Sequence, residues 1–383
     1  MSAGILAITG GVVEPEPGER IDGGTVLVRD GKILAVGRDA PPADATLVDA
    51  TGCRVLPGFV DAHAHIGVHE VAVGLPGADV NESGLSNAAG IRALDAINPH
   101  DPAFDDALTG GVTTVVVKPG SGAPLGGQSV ALKTAGGRIV DDRVLRDPLS
   151  LKSAFGENPK AGANGGLPTT RMGIAYVIRQ ALEDARHYGR RAAGTVARDL
   201  HQEVLQRLLA GELPWDVHAH RQDDIATALR IAREYGLRLV INHGTEAYLL
   251  AGIIAEQNIP VILGPLSVAR SKVELACRRE TTPRILHRTG IPFALMTDHP
   301  EVPIELLSLQ ASLAVRAGLP ADAALRAITT TPAEIYGLDD RVGSLRPGRD
   351  ADIVLWSGDP LDTRSRVRTV YVDGVAVFGR PAA

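Results

Sequence analysis

From residue 55 to residue 339, short apolar segments that resemble buried strands alternate with helical segments. Several of these segments, such as 113–117 and 261–263, are nearly continuous runs of small aliphatic residues. Runs of this kind are typical of parallel strands that helices cover on both faces. The predicted strands are 56–62, 113–118, 129–133, 149–154, 215–219, 238–242, 260–264 and 291–297. Eight strands with intervening helices predict an α/β fold, namely a (β/α)8 TIM barrel.

Amphipathic stripes support the helical segments between these strands. In each stripe, apolar residues recur three or four positions apart, with charged residues off the stripe. The two clearest stripes are Ile225, Ala228, Leu229 and Ala232, and Ile304, Leu307, Ala311 and Ala314.

Both chain ends carry a β pattern with no helical period. Asp30-Gly31 and Asp373-Gly374 each separate two apolar segments, which is a strong signal for a hairpin. We therefore predict a small β-sandwich domain formed by both termini. The predicted domains are the N-terminal part of the sandwich at 1–54, the barrel at 55–339 and the C-terminal part of the sandwich at 340–383.

Charge and composition exclude several classes of protein. The net charge of -6 gives no reason to expect a nucleic acid or an anionic membrane as partner. No apolar stretch approaches the ~18 residues that a membrane span needs, and Ile5–Ile8 is too short for a signal peptide. Cys53 and Cys277 cannot form a disulfide framework, so we expect a reducing, cytoplasmic location.

Histidines and one aspartate lie where predicted strands end. His63 and His65 are two positions apart at the end of the first strand, so their side chains share one face. His218, His243 and Asp298 lie at the ends of three later strands. Each residue alone would be unremarkable, but a barrel brings these strand ends to one face. Nitrogen and oxygen donors without thiolate suit zinc, iron, nickel or manganese, so we predict a divalent metal site.

Loops at the same face could complete the site. Residues 66–102 and 155–170 are long insertions after the first and fourth strands, and both also suit ordinary surface loops. The glycine-rich loop 119–128 after the second strand could present backbone N–H groups to a substrate. It is not a phosphate-binding P-loop, because it lacks the Gly-Lys-Ser/Thr ending.

Four further residues are candidates for substrate binding. His220 and Arg221 follow the fifth strand, Arg171 follows the insertion after the fourth strand, and His299 follows Asp298. An arginine at this face could bind a substrate carboxylate through two hydrogen bonds. The alternative for each arginine is a surface salt bridge.

The site pattern resembles the amidohydrolase superfamily, and the resemblance covers essentially the whole chain. The first-strand motif runs from Pro57 to His65, and 343–354 is similar to the family's return into its sandwich. The resemblance implies a metal-dependent barrel flanked by a β-sandwich, with ligands at the strand-end residues named above. The segments 156–160 and 170–173 look like the imidazolonepropionase- and prolidase-like branch.

The resemblance also raises the question of a second metal. The family often has two metals bridged by a carboxylate from the fourth strand, either a carboxylated lysine or a glutamate. The chain offers Lys152 and Glu157, and we favour Glu157 because it needs no modification. A single metal with Glu157 as a loop anchor is the alternative. Lys133 on the third strand is expected to be structural.

Metal chemistry then suggests the reaction. A divalent ion lowers the pKa of bound water toward ~7, so that hydroxide attacks a polarised carbonyl. Asp298 would take the proton of the nucleophile and deliver it to the leaving nitrogen. We therefore predict hydrolysis of a C–N bond in a small molecule, namely a cyclic amide, N-acyl amino acid or dipeptide, with zinc as the expected ion. The alternatives are a mononuclear aminohydrolase (deaminase) and a non-catalytic barrel scaffold. The sequence leaves open a homo-oligomer.

Overall fold

The computed structural model describes residues 4–161, 166–190 and 197–379. Its strands form two sheets of eight strands each. The first five strands are β1 (Leu6–Val13), β2 (Ile21–Arg29), β3 (Lys32–Gly37), β4 (Thr46–Asp49) and β5 (Arg54–Pro57). The next eight are β6 (Phe59–Ala64), β7 (Val112–Val117), β8 (Leu125–Lys133), β9 (Val144–Ala154), β10 (Trp215–Ala219), β11 (Leu239–His243), β12 (Val261–Leu263) and β13 (Phe293–Leu295). The last three are β14 (Ile353–Trp356), β15 (Val367–Val372) and β16 (Val375–Gly379).

Strands from both chain ends share the first sheet, in the order β16-β15-β14-β5-β1-β2-β3, with β4 beside β1. The pairing of β5 with β14, which sets Val55 opposite Leu355, joins the two ends. Both predicted hairpins are confirmed: Arg29 pairs with Lys32, and Val372 pairs with Val375. The two-residue turns between them have positive φ throughout, which Asp-Gly accepts readily. The prediction that both chain ends contribute strands to one β unit is therefore confirmed. The two-layer sandwich and the domain limits stay predictions.

The second sheet contains β6 to β13 in chain order. Every residue of β6, β7 and β10 is buried, as the apolar runs predict. Two hydrogen bonds connect the first and last strands of the series: Asp298 N–H donates to His63 C=O (3.0 Å), and His65 N–H donates to His299 C=O (2.9 Å). The fold is thus mixed α/β, with a nearly closed, TIM-barrel-like sheet.

Strand β8 departs from the predicted (β/α)8 order, because it runs antiparallel to both β7 and β9. The links on either side of it, 118–124 and 134–143, explain the difference. A parallel connection needs a crossover of about a dozen residues or more, and neither link is that long. The other neighbouring pairs in this sheet are parallel.

The first predicted strand, 56–62, divides between the two sheets at Gly58. Residues up to Pro57 pair in the terminal sheet, and residues from Phe59 onward pair with β7. A Cβ on Gly58 would lie 1.9 Å from Thr113 Oγ1, so only glycine allows this close approach.

Helices and turns fill the connections. The helices are α1 (Ala103–Thr109), α2 (Glu157–Ala161), α3 (Arg171–Gly189), α4 (Leu200–Leu209), α5 (Gln222–Tyr235), α6 (Ala251–Glu256), α7 (Thr282–Arg288), α8 (Leu307–Arg316), α9 (Ala321–Arg326) and α10 (Thr330–Tyr336). Short 3-10 turns lie at Leu75–Gly77, Ala93–Ala96, Val140–Arg143, Ala247–Leu249, Val273–Leu275 and Ile304–Leu306. The predicted stripe of α5 is buried, and the helix ends at Gly236, which has φ 70°. Among the described helices, none has the length and apolar character needed to cross a bilayer.

Candidate metal centre

The structure brings the five predicted ligands to one end of the second sheet. His63 lies in β6, His218 lies in β10, and His243 is the last residue of β11. His65 follows β6 directly, and Asp298 lies shortly after β13. The Nε2 atoms of His63 and His65 each lie 3.3 Å from Asp298 Oδ1, and His243 Nδ1 lies 4.0 Å from Asp298 Oδ2.

A second group of imidazoles adjoins the first. The ligand atoms of His218, His220 and His243 all lie within 4.8 Å of one another, as do those of His63, His65 and Asp298. The rings of His63 and His243 connect the groups, with a centroid separation of 5.2 Å. The site is therefore one continuous cluster of five imidazoles and one carboxylate.

In each imidazole, Nδ1 contacts a neighbouring group, and in His63 and His65 Nε2 faces Asp298. The Nδ1 partners are Asn242 Oδ1 for His63 (2.8 Å), Lys118 C=O for His65 (2.8 Å), Ser121 Oγ for His218 (2.9 Å), Thr245 Oγ1 for His220 (2.8 Å) and Gly264 C=O for His243 (3.1 Å). Among the described atoms, Nε2 of His218, His220 and His243 is buried without a hydrogen-bond partner. Such an arrangement is typical of metal-binding histidines.

Burial keeps His63, His218, His220 and His243 neutral, as metal-binding histidines must be. It lowers the pKa of His63, His218 and His243 well below the ordinary value. Burial, followed by the positive charges of Lys272 and Lys152, lowers the pKa of His220 to about 3. The donor set and its protonation state therefore fit a divalent cation.

The backbone is strained at two of these positions. His243 has φ 70° and Asp298 has φ 54°, values that non-glycine residues seldom adopt. Strain of this kind is concentrated at functional sites, where the surrounding structure holds it in place.

A cavity of about 320 Å³ lies over the cluster. Loops from several strand ends complete its wall, including His69 and Asn81 from insertion 66–102, Ser121 from the loop after β7, and Lys272 from the loop after β12. Part of the predicted insertion 66–102 thus forms the wall. In the insertion 155–170, Asn158 reaches the cavity, whereas residues 162–165 are outside the described part of the chain.

Comparison with known proteins agrees with this geometry. The sequence model of the amidohydrolase family matches residues 173–377, which is more than half of the chain. The chain belongs to the amidohydrolase family. It is therefore a hydrolase that acts on carbon–nitrogen bonds, in a superfamily of metal-dependent enzymes.

Three known proteins illustrate the similarity of this chain to other members of the family. The crystal structure of an amidohydrolase from Thermotoga maritima MSB8 is 44% identical, with a TM-score of 0.95, and the match covers 98% of this chain and 100% of that one. "Amidohydrolase tasK" of Hapsidospora irregularis is 31% identical over 94% of this chain, which spans only 40% of that protein's length. An imidazolonepropionase of Mesorhizobium japonicum is 26% identical over 88% of this chain and 87% of its own length.

Of the two fourth-strand candidates in this amidohydrolase, Lys152 lies beside the cluster and Glu157 does not. Lys152 is fully buried in β9, and its Nζ lies 3.4 Å from His63 Nε2. Burial lowers the pKa of Lys152 to about 7. Glu157 begins α2 beyond the turn at Gly156, and its carboxylate is in neither ligand group. The preference for Glu157 therefore needs correction, because the chain has left the strand before residue 157.

Both predicted substrate-binding arginines pair with aspartates outside the cavity. Arg171 Nε lies 3.0 Å from Asp224 Oδ2, and Arg221 Nε lies 2.9 Å from Asp223 Oδ1. Neither arginine lines the cavity. The two aspartates are in the first turn of α5, where they bind both guanidinium groups, so the alternative of a salt bridge is correct for both.

The two predicted histidines differ in placement. His220 lines the cavity within the second ligand group. His299 is buried behind it and does not line it. Neither ring nitrogen of His299 has a hydrogen-bond partner among the described residues, and burial lowers its pKa to about 4. A direct contact between His299 and a substrate in the cavity is therefore not supported.

A buried polar network beneath the cluster was not predicted from the sequence. Lys118 Nζ contacts Asn242 Oδ1 (2.7 Å), Tyr336 Oη (2.7 Å) and Asp216 Oδ2 (3.0 Å), and all four residues are buried. One signal was available: Asp216 precedes His218 by two residues in the same strand, so both point to the same face. A lysine directly after the apolar strand β7 was a weaker signal.

Proposed function

We propose that this amidohydrolase hydrolyses the C–N bond of a cyclic amide, N-acyl amino acid or dipeptide with one or two divalent ions, zinc foremost. His63, His65, His218, His243 and Asp298 would hold the metal. The single observation that carries the proposal is the convergence of these side chains, from four separate strands, below one cavity. The four imidazoles among them support a nitrogen-rich cation site.

Lys152 is proposed as the bridging residue if two ions bind. Addition of carbon dioxide to its amine gives a carbamate and releases one proton. This addition requires the neutral amine, and the burial that lowers the pKa of Lys152 to about 7 supplies it near neutral pH. The position of Nζ, 3.4 Å from His63 Nε2, supports this role.

A bound divalent ion supplies an activated water and a polarised carbonyl. Asp298 would take the proton of the attacking water and deliver it to the leaving nitrogen; its Oδ1 lies 3.3 Å from Nε2 of both His63 and His65, which places the carboxylate at the proposed metal site. His220 contributes to the cavity wall through its Nε2, while Thr245 fixes the ring through Nδ1. We also propose that the barrel is closed, that the sheet from both chain ends is part of a β-sandwich and that the protein is cytoplasmic.

Metal analysis and a substrate panel test this function together. The protein is purified, loaded with zinc and assayed with lactams, N-acyl amino acids and dipeptides, and both amine and ammonia release are followed. We expect at least one bound ion per chain and release of a free amine or acid. Ammonia release alone would favour the deaminase alternative, and the absence of any bound ion would reject the proposal.

A further inference from the structure

The cavity contains a positively charged side chain with no strong partner. Among the described residues that line it, Lys272 is the one lysine, and no arginine is present. Its Nζ lies 3.4 Å from Asn158 Oδ1 and 3.9 Å from Glu274 Oε2, which are both long separations. An ammonium has three N–H donors, so Lys272 keeps donor capacity toward the cavity.

The carboxylate nearest to Lys272 is engaged through one of its two oxygens. Glu274 Oε1 accepts the N–H of Glu157 at 2.7 Å and lies 3.7 Å from Arg171 Nη2. Its Oε2, which faces Lys272, has no hydrogen-bond partner among the described residues, and at 3.9 Å from Lys272 Nζ it forms no close ion pair that would neutralise the ammonium. Because Arg171 is held outside the cavity, Lys272 is the cation that a substrate anion would meet.

We infer that Lys272 binds a substrate carboxylate, which narrows the substrate to N-acyl amino acids and dipeptides with a free C-terminal carboxylate. This inference rests on the proposed function. A lysine acts as a point charge and satisfies a carboxylate without the planar fit that arginine requires. Neutral cyclic amides would leave the Lys272 charge unpaired in the cavity.

Paired substrates test this inference. Zinc-loaded wild type and Lys272→Met are assayed with dipeptides and N-acyl amino acids and with the C-terminal amide of each. We expect wild type to prefer the acids, and Lys272→Met to lose about 10- to 100-fold in kcat/KM for acids with little change for amides. Lys272→Arg should recover part of the loss. Arg270→Met, which removes an exposed cation from the same loop, serves as the matched control.

The outcomes distinguish a failure of this inference from a failure of the proposed hydrolase function. Equal turnover of acids and amides by wild type, or an unchanged preference in Lys272→Met, would overturn the role of Lys272 and leave the hydrolase intact. A metal-loaded enzyme that turns over neither member of any pair would reject the acyclic substrates and this inference with them.

A second inference rests on the network beneath the cluster. Asn242 Oδ1 contacts both His63 Nδ1 (2.8 Å) and Lys118 Nζ (2.7 Å), and Asn242 Nδ2 donates to Asp216 Oδ1 (3.0 Å). An ammonium can only donate, so the Asn242 atom that faces Lys118 must be the oxygen. The same oxygen can only accept from His63, so His63 carries its proton on Nδ1.

We propose that Asn242 is a positioning residue that fixes this tautomer and so directs the Nε2 lone pair of His63 to the metal. Lys118 and Asp216 fix the Asn242 amide in turn, and Tyr336 donates to Asp216 Oδ1 at 3.0 Å. Through Asn242, the network thus connects the end of β7, strands β10 and β11 and helix α10 to Nδ1 of His63. A group that holds the outer nitrogen of a metal-binding histidine sets both its orientation and its basicity.

Asn242→Leu tests this role, with zinc affinity measured by chelator competition. We expect affinity to fall about 10- to 100-fold. Isotope-labelled histidine nitrogens in the metal-free protein should show loss of the single Nδ1–H form of His63. Thr134→Val is the control, because it removes a buried hydroxyl that donates to Val112 C=O (2.8 Å) outside this network.

An exchange of side chains keeps the test valid if Asn242→Leu fails to fold. Asn242→Asp combined with Asp216→Asn preserves the charge, the acceptor for His63 and the contact between the two residues. This double variant should bind zinc within a few fold of wild type, whereas Asn242→Asp alone should bind more weakly because two carboxylates then face each other. Unchanged zinc affinity and tautomer in a folded Asn242→Leu, or zinc affinity in the double variant no better than in Asn242→Asp alone, would overturn the proposal.

Discussion

Lys152 Nζ lies 3.4 Å from His63 Nε2, so an amine from the fourth strand of the barrel-like sheet reaches the first ligand of the candidate metal site. Both side chains are fully buried. A cationic lysine here would repel the metal, whereas a carbamate on the same nitrogen would attract it. We therefore expect the chemical state of Lys152 to decide how many ions the site holds.

Replacing Lys152 with Met should remove one of two ions and lower kcat at least about 100-fold, because the bridging carboxylate is lost. Glu157→Gln should keep the metal content and most activity, since the Glu157 carboxylate is in neither ligand group. Metal content per chain and activity with added bicarbonate are the measurements. Equal metal content in Lys152→Met and wild type would contradict the bridging role.

Asp298→Asn should retain much of the metal yet lose about 10²- to 10⁴-fold in kcat, because an amide cannot accept the proton of the attacking water. Metal analysis and kcat are compared in the same preparation. Asp339→Asn, which changes an exposed carboxylate far from the cluster in sequence, is the control. Near-normal turnover by Asp298→Asn would remove this residue from the mechanism.

Lys133 holds three carboxylates of the C-terminal segment, and its predicted structural role agrees with these contacts. Its Nζ lies 2.8 Å from Asp350, 2.9 Å from Asp352 and 2.8 Å from Asp373. Lys133→Met should lower the free energy of unfolding by about 3–5 kcal/mol, because the buried carboxylate of Asp352 loses its cationic partner. Urea unfolding measures the loss, and a difference below about 1 kcal/mol would contradict the role.

The same lysine predicts a pH effect. Burial alone would lower the pKa of Lys133, but Asp352, Asp350 and Asp373 together raise it above the ordinary value of 10.5. The folded state therefore binds this proton more firmly than the unfolded state. The stabilisation is complete below about pH 10 and is lost as pH rises through the folded-state pKa. The difference in unfolding free energy between wild type and Lys133→Met should shrink at about pH 11.5; a constant difference would contradict this linkage.

Sequence patterns predicted the candidate ligands that lie at strand ends. They missed the residues whose role depends on tertiary contacts. His63, His65, His218 and His243 were identifiable because parallel strands end at one face. Lys118 and Asn242 were not, because nothing local indicates that an ammonium and an amide will meet beneath that face. The hydrophobic pattern located β8 but did not give its direction, although the short flanking links did contain that information.

The arginines illustrate a different limit. Arg171 and Arg221 have the right charge at the right strand ends, but Asp223 and Asp224 bind both. Arg221 and Asp223 are two positions apart, so this pair was visible in the sequence. The ion pair of Arg171 with Asp224 needed the packing of α3 on α5, which no local pattern gives.

Metal removal should reveal how much of the fold depends on the site. Among the described residues, Nε2 of His218, His220 and His243 is buried without a hydrogen-bond partner, and the backbone is strained at His243 and Asp298. A ligand present at 100 times its Kd stabilises the folded state by about 2.7 kcal/mol. Chelation should therefore lower the Tm by several degrees, and re-added zinc should restore it. His287→Gln, an exposed histidine of α7, should respond to zinc as wild type does, whereas His218→Gln should lose most of the zinc-dependent shift. A Tm that zinc and chelators leave unchanged in wild type would show that the cluster binds no cation.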